Sequence, residues 1–130
     1  MSDMTVPPTK HNEPVGTFQQ LVLAAVLSLR DNASAFPVHE KVEELADRRF
    51  YLSAVYTTLA RLEKKGYLQS SWTKPMGGKK KRCYELTASG AKAAQESAEI
   101  AKRVYAVWEK VFGKNQLEAA SRESDTSRTT

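Results

Sequence analysis

Apolar residues recur at helical spacing through the first half of the chain, alternate briefly near its middle, and return to helical spacing for a long final run. Phe18, Leu21, Val22, Ala25, Val26 and Leu29 predict a broad-faced helix over Thr17–Arg30, opened by a capping box of Thr17 and Gln20. After a loop at 31–35, Pro37 suits the first turn of a second helix with Val38, Val42, Leu45 and Ala46 as its stripe. Its charged positions, and His39, belong to a solvated face. A short turn over 48–52 leads to Ser53, an N-cap for a third helix over 54–65 that Gly66 ends. The period then changes. Tyr67–Lys74 reads as a strand, Pro75, Met76, Gly77 and Gly78 as a turn, and Cys83–Leu86 as the returning strand. Thr87 caps a last helix over 88–112, and Gly113 stops it.

This order predicts a mainly α, α+β fold: three helices and a two-stranded wing, a winged helix-turn-helix, followed by a long C-terminal helix. The boundaries are a disordered, Pro-bearing arm over 1–16, the winged helix over 17–87, the long helix over 88–113 and a disordered polar tail over 114–130. In the long helix Ala91, Ala94, Ala98, Ala101, Tyr105, Trp108 and Phe112 form a heptad-like seam, with Ile100, Val104, Val107 and Val111 beside it. So wide an apolar face on about 37 Å of helix exceeds what a small domain covers, which implies that the surplus packs on another chain.

Composition narrows the function. No apolar run reaches the roughly 20 residues of a membrane span, and the polar start has no leader-like apolar region, so a cytoplasmic protein is expected. One cysteine, Cys83, and two histidines, His11 and His39, leave no metal site. The chain shows no nucleophile–base pair and no phosphate-binding Gly loop, so neither an enzyme nor a cofactor is expected. The charge is more informative. The whole chain is +5, yet Arg61–Arg82 alone holds eight basic residues against the single acid Glu63. Such a local patch suits a polyanion.

Helix three turns Ser53, Ala54, Thr57, Arg61 and Lys64 away from its apolar side, with Tyr56 flanking them. Hydroxyls, a phenol and a guanidinium near a helix N-terminus are groups that read base edges in the major groove of double-stranded DNA. The wing over 75–82, through Lys79, Lys80, Lys81 and Arg82, would hold the phosphate backbone or enter the minor groove. The competing expectation is a protein-interaction module on the same fold with weak, non-specific DNA binding.

Two motifs resemble those of PadR-type regulators. Tyr51 to Leu68 carries a Ser-containing turn, a Val-Tyr pair and Leu-x-x-Leu-Glu-x-x-Gly; Lys80 to Gly90 carries a basic strand ending in Tyr-x-Leu-Thr-x-x-Gly. The resemblance covers about Thr17 to Phe112. It implies a prokaryotic cytoplasmic regulator, usually a repressor, that dimerises through its C-terminal helix against helix one of the partner and binds a pseudo-palindromic operator. Here the dimer contacts would be Leu21, Ala98, Ala101, Val104, Tyr105, Trp108 and Phe112. Some members sense phenolic or multidrug ligands near that interface, which makes Tyr105 and Trp108 a candidate pocket for a small aromatic effector. The chain departs from the pattern in two places. Phe36-Pro37-Val38-His39-Glu40 stands where a Gly-Tyr-Glu is frequent, and Thr57 stands where Pro is frequent.

Overall fold

A computed structural model of the protein describes residues 15–74 and 78–129, of which 123–129 by backbone alone. The expected arm over 1–14, most of the expected turn (Pro75, Met76, Gly77) and Thr130 lie outside the described residues. The elements are α1 (Thr17–Leu29), a 3-10 turn (Arg30–Asn32), α2 (Ala35–Ala46), α3 (Leu52–Lys64), β1 (Leu68–Thr73), β2 (Lys81–Leu86), α4 (Ala88–Phe112) and α5 (Lys114–Thr129). The fold is mainly helical with one antiparallel hairpin, as the hydrophobic pattern predicts. It divides into two compact units, one ending at Ser97 and the other beginning at Ala98.

In the first unit α1 lies at the centre of the core, with Thr17, Ala24, Leu27 and Ser28 left exposed. Val22, Leu23, Ala25 and Val26 are all essentially inaccessible, and the helix packs on α2, α3 and β2. Val38 and Val42 of α2, Val55, Leu59 and Leu62 of α3, and Leu68 of β1 close the same core. Removing side chains of this size from water supplies roughly 1.5–3 kcal/mol each. Leu45, expected on the stripe of α2, is exposed instead, because that stripe narrows to Val38 and Val42. Leu21 is half-buried against the core, whereas Leu27, outside the expected stripe of α1, is exposed.

Helix starts differ from expectation. Gly16, rather than Thr17, is the N-cap of α1, and its N–H donates to Gln19 Oε1 at 3.4 Å. Tyr51, rather than Ser53, is the N-cap of α3 and offers no side-chain cap. Tertiary bonds explain that shift. The Phe50 N–H donates to Glu43 Oε2 at 2.9 Å, and His39 Nε2 meets the Phe50 carbonyl at 2.8 Å. The turn is thus fixed from α2, with Asp47 in the left-handed region (φ 54°, ψ 44°), and the chain enters α3 one residue past Tyr51. His39 is accordingly a half-buried brace, not an exposed helix residue.

The hairpin register pairs Leu68 with Leu86 and Thr73 with Lys81. Its root is pinned to the start of α4. Thr87 N–H donates to the Tyr67 carbonyl at 3.1 Å, Thr87 Oγ1 to the Gly66 carbonyl at 2.6 Å, and Gly90 N–H to Thr87 Oγ1 at 3.0 Å. Thr87 is therefore the cap that the sequence predicts.

In the second unit, Gly113 (φ +89°) separates α4 from α5. The helix over Lys114–Thr129 corrects the expectation of a tail without structure. No apolar stripe marks it, but Leu117, Glu118, Ala119 and Ala120 are strong helix formers. Leu117 and Ala119 are half-buried and line a shallow cavity with Phe112.

Candidate nucleic-acid interface

The apolar side of α3 decides what its other side presents. With Val55, Thr58, Leu59 and Leu62 turned inward, the outward positions are Ser53, Tyr56, Thr57, Arg61 and Lys64, all exposed. Ala54 is half-buried at the edge of that face. The residues predicted to reach base edges therefore share an accessible surface. Its order along the helix is hydroxyl, phenol, hydroxyl and then cation. Arg61 and Lys64 also occupy the last turn, where positive charge favours the helix.

The wing is held beside this face by two joints. The first is polar. Glu63 of α3 accepts Ser70 Oγ of β1 at 2.6 Å and sits 3.2 Å from Arg82 Nη2 of β2, while Arg82 Nε donates to Ser70 Oγ at 2.9 Å. The one acid of the basic stretch thus ties α3 to both strands. Arg82, predicted as a backbone contact, commits much of its guanidinium to this joint and lies 5.8 Å over the Trp72 ring. The second joint is main-chain. Tyr84 N–H donates to the Ala33 carbonyl at 3.0 Å, and an isolated bridge pairs Ser34 with Cys83. This bond fixes β2 against the entry to α2, and it accounts for the half-buried state of Cys83.

Between these joints lies an open cleft of about 530 Å³, lined by residues 34–37 at the start of α2, Tyr56, Trp72, residues 80–82 and Tyr84. Tyr56 of α3 and Lys80 and Lys81 of the wing, well separated in the sequence, meet in it. Lys79 is exposed just before them. Phe36 and Trp72, which are not among the site residues the sequence predicts, also line the cleft. The signal for Trp72 is its place across the hairpin from Arg82; for Phe36 it is an aromatic residue just before a helix-opening Pro37. Tyr84 is pushed above the ordinary phenol range, mainly by burial, with nearby Glu63 and Tyr56 adding to it and Arg82 opposing.

In the second unit Ile100, Val104, Tyr105, Val107, Trp108, Val111 and Phe112 are each about half exposed or more. Ala98 and Ala101 are exposed as well. The Trp108 and Phe112 rings stack at 5.2 Å and 9°. Among the described residues no group of three or more His, Cys, Asp or Glu is placed to hold a metal, and no helix is long and apolar enough to cross a membrane.

Comparison with known proteins bears on family and fold. The profile of the transcriptional regulator PadR-like family matches residues 26–96. No curated protein sequence matches the chain. Among solved structures, a PadR family transcriptional regulator from Eggerthella lenta superposes with a TM-score of 0.63 at 21% identity, over 76% of this chain and 84% of that one. A PadR-like regulator from Bacillus cereus gives 0.64 at 14% identity, over 74% and 91%. The PcaV transcriptional regulator from Streptomyces coelicolor, solved with its natural ligand, gives 0.66 at 20% identity, over 90% and 75%.

Proposed function

We propose, from the premise that this chain belongs to the transcriptional regulator PadR-like family, that it is a homodimeric repressor whose α3 reads operator bases while its wing holds the backbone. The family makes it a DNA-binding regulator of transcription and not an enzyme. The finer reading is carried by one observation: the outward side of α3 and the lysines of the wing meet in one cleft, through Tyr56, Lys80 and Lys81. Ser53, Ala54, Tyr56, Thr57 and Arg61 would reach base edges, and Lys64, Lys79, Lys80, Lys81 and the uncommitted part of Arg82 would reach phosphates.

The exposed apolar row of α4 supports the dimer. An exposed apolar row of this kind is a common mark of a surface that another protein covers. Ala98, Ala101, Val104, Tyr105, Trp108 and Phe112 would form the seam, with α1 of the partner against it through Leu27 and the accessible part of Leu21. A two-fold dimer requires a pseudo-palindromic operator, with half-sites one helical turn or a multiple apart. Tyr105 and Trp108 would wall a pocket for a small aromatic effector, as PcaV's being solved with a ligand suggests by analogy. As a regulator of transcription it would act in the cytoplasm of a prokaryotic cell, at the nucleoid.

The test starts from DNA that the protein pulls from its own genome. Replacing Lys79, Lys80 and Lys81 by Ala should weaken binding to every sequence about equally and flatten the salt slope by about 0.9 for each phosphate no longer neutralised. Replacing Arg61 by Ala should instead change the ranking of sequences, by about 1–3 kcal/mol at one position of the site. Unchanged affinity and slope in the triple variant would mean that the wing does not touch DNA. Weak binding with no sequence preference in the wild type would favour the protein-interaction module.

A further inference from the structure

The cleft beside α3 holds more apolar surface than a phosphate seat uses. Phe36, Tyr56 and Trp72 are 59%, 55% and 62% exposed, yet all three line it. The core closes without them. A duplex whose bases meet Tyr56 and whose phosphodiester backbone satisfies the lysines at the rim would still leave the rings of Phe36 and Trp72 in water. Aromatic side chains bury about 150–250 Å² each when covered, and they prefer another ring, offset or edge-on. The rest of the lining is positive: Lys80, Lys81 and Arg82 border the cleft and no acid does. Arg82 is tied to Glu63 and Ser70 and stands over Trp72. Lys80 and Lys81 have no ion pair among the described residues. The walls are preformed, because the Tyr84–Ala33 bond and the Ser34–Cys83 bridge fasten β2 to the start of α2. A volume of about 530 Å³ lies within the usual range for small-molecule sites, about 300–1,000 Å³.

We propose that this cleft is a binding site for a small planar aromatic anion, its ring among Phe36, Tyr56 and Trp72 and its carboxylate toward Lys80 and Lys81. The site is separate from the seam at Tyr105 and Trp108. One consequence rests on the proposed DNA-binding reading: because Tyr56 and both lysines are claimed for DNA, occupied cleft and bound duplex exclude one another.

The test uses the full, ¹⁵N-labelled chain without DNA, titrated with 2-naphthoate, its neutral amide 2-naphthamide, and deoxythymidine monophosphate. The readout is the indole N–H resonances of Trp72 and Trp108, assigned with Trp72→Phe. Naphthoate should shift the Trp72 resonance saturably. The amide should bind about tenfold more weakly, and the Lys80→Ala, Lys81→Ala double variant should raise the naphthoate Kd by about tenfold, the scale of one charge-assisted hydrogen bond. Phe36→Ala should weaken acid and amide alike. An absent Trp72 response, or a response at Trp108 alone, would overturn the proposal. So would deoxythymidine monophosphate binding as tightly as naphthoate, which would assign the cleft to the nucleic acid itself. If naphthoate fills the cleft and duplex affinity is unchanged, the aromatic site stands and the placement of DNA on this face falls.

Discussion

Gly90 lies where any side chain would collide with the main chain of its neighbour: a Cβ there would sit 2.0 Å from the Tyr67 carbonyl oxygen. Gly90→Ala should therefore force the start of α4 off the hairpin root. The expected cost is about 1–3 kcal/mol, or roughly 4–8 °C in melting temperature per kcal/mol, read by calorimetry. Tyr84 gives a second test. Burial makes the folded protein hold its phenolic proton more tightly than the unfolded chain does. Stability should thus fall as pH rises from the ordinary phenol value near 10 toward the higher folded value, with its full contribution present below that window. Tyr84→Phe should flatten the loss of urea midpoint as pH rises above about 10; an unchanged slope would assign the alkaline loss to other groups. Residue roles were legible where the chemistry is local. Thr87 reads as the cap of α4 and caps it through the Gly90 N–H three residues on. Ser53 and His39 were not legible, because the Phe50 peptide that sets both is held by Glu43 across the turn.

At the scale of elements, the joint between α3 and the wing holds the two parts of the proposed DNA-contacting face together. Glu63 and Arg82 are partly exposed, and such pairs contribute at most about 1 kcal/mol. Glu63→Gln should leave the global melting point within a few degrees while speeding hydrogen exchange of amides in β1 and β2 by about fivefold, with α1 unaffected. Equal acceleration in α1 would show that the joint stabilises the whole unit rather than the wing. Hydrophobic period alone located α1, α2, α3, the hairpin and α4. It missed α5, since a polar helix shows in propensity and not in stripes. It also placed Glu63 as a lone acid in a basic run, without indicating that β1 and β2 converge on it.

At the scale of the whole molecule, the row from Ile100 to Phe112 holds seven of the thirteen exposed large hydrophobic side chains among the described residues. If it is the dimer seam, a charge placed on it is desolvated on assembly. Val104→Glu with Trp108→Glu should halve the sedimentation mass and lower affinity for a two-half-site operator far more than for one half-site. A dimer that persists in this double variant would move the interface elsewhere. The sequence implied a partner from helix length and stripe width, features of one chain. Which face of α1 would meet such a partner was less legible: Leu27 breaks the stripe and is exposed, while Leu21, chosen by resemblance, is half-buried against the core.

The pinned root of the hairpin has an evolutionary consequence. Because the Tyr67 carbonyl receives Thr87, the chain leaves and re-enters the domain at nearly one point, and everything between is an excursion closed at its base. The cost of lengthening such a loop grows only logarithmically, about 0.6 kcal/mol per doubling. If the wing holds the DNA backbone as proposed, descendants of this sequence could trade wing tips of different length and charge, retuning how tightly they grip any DNA while α3 stays as it is.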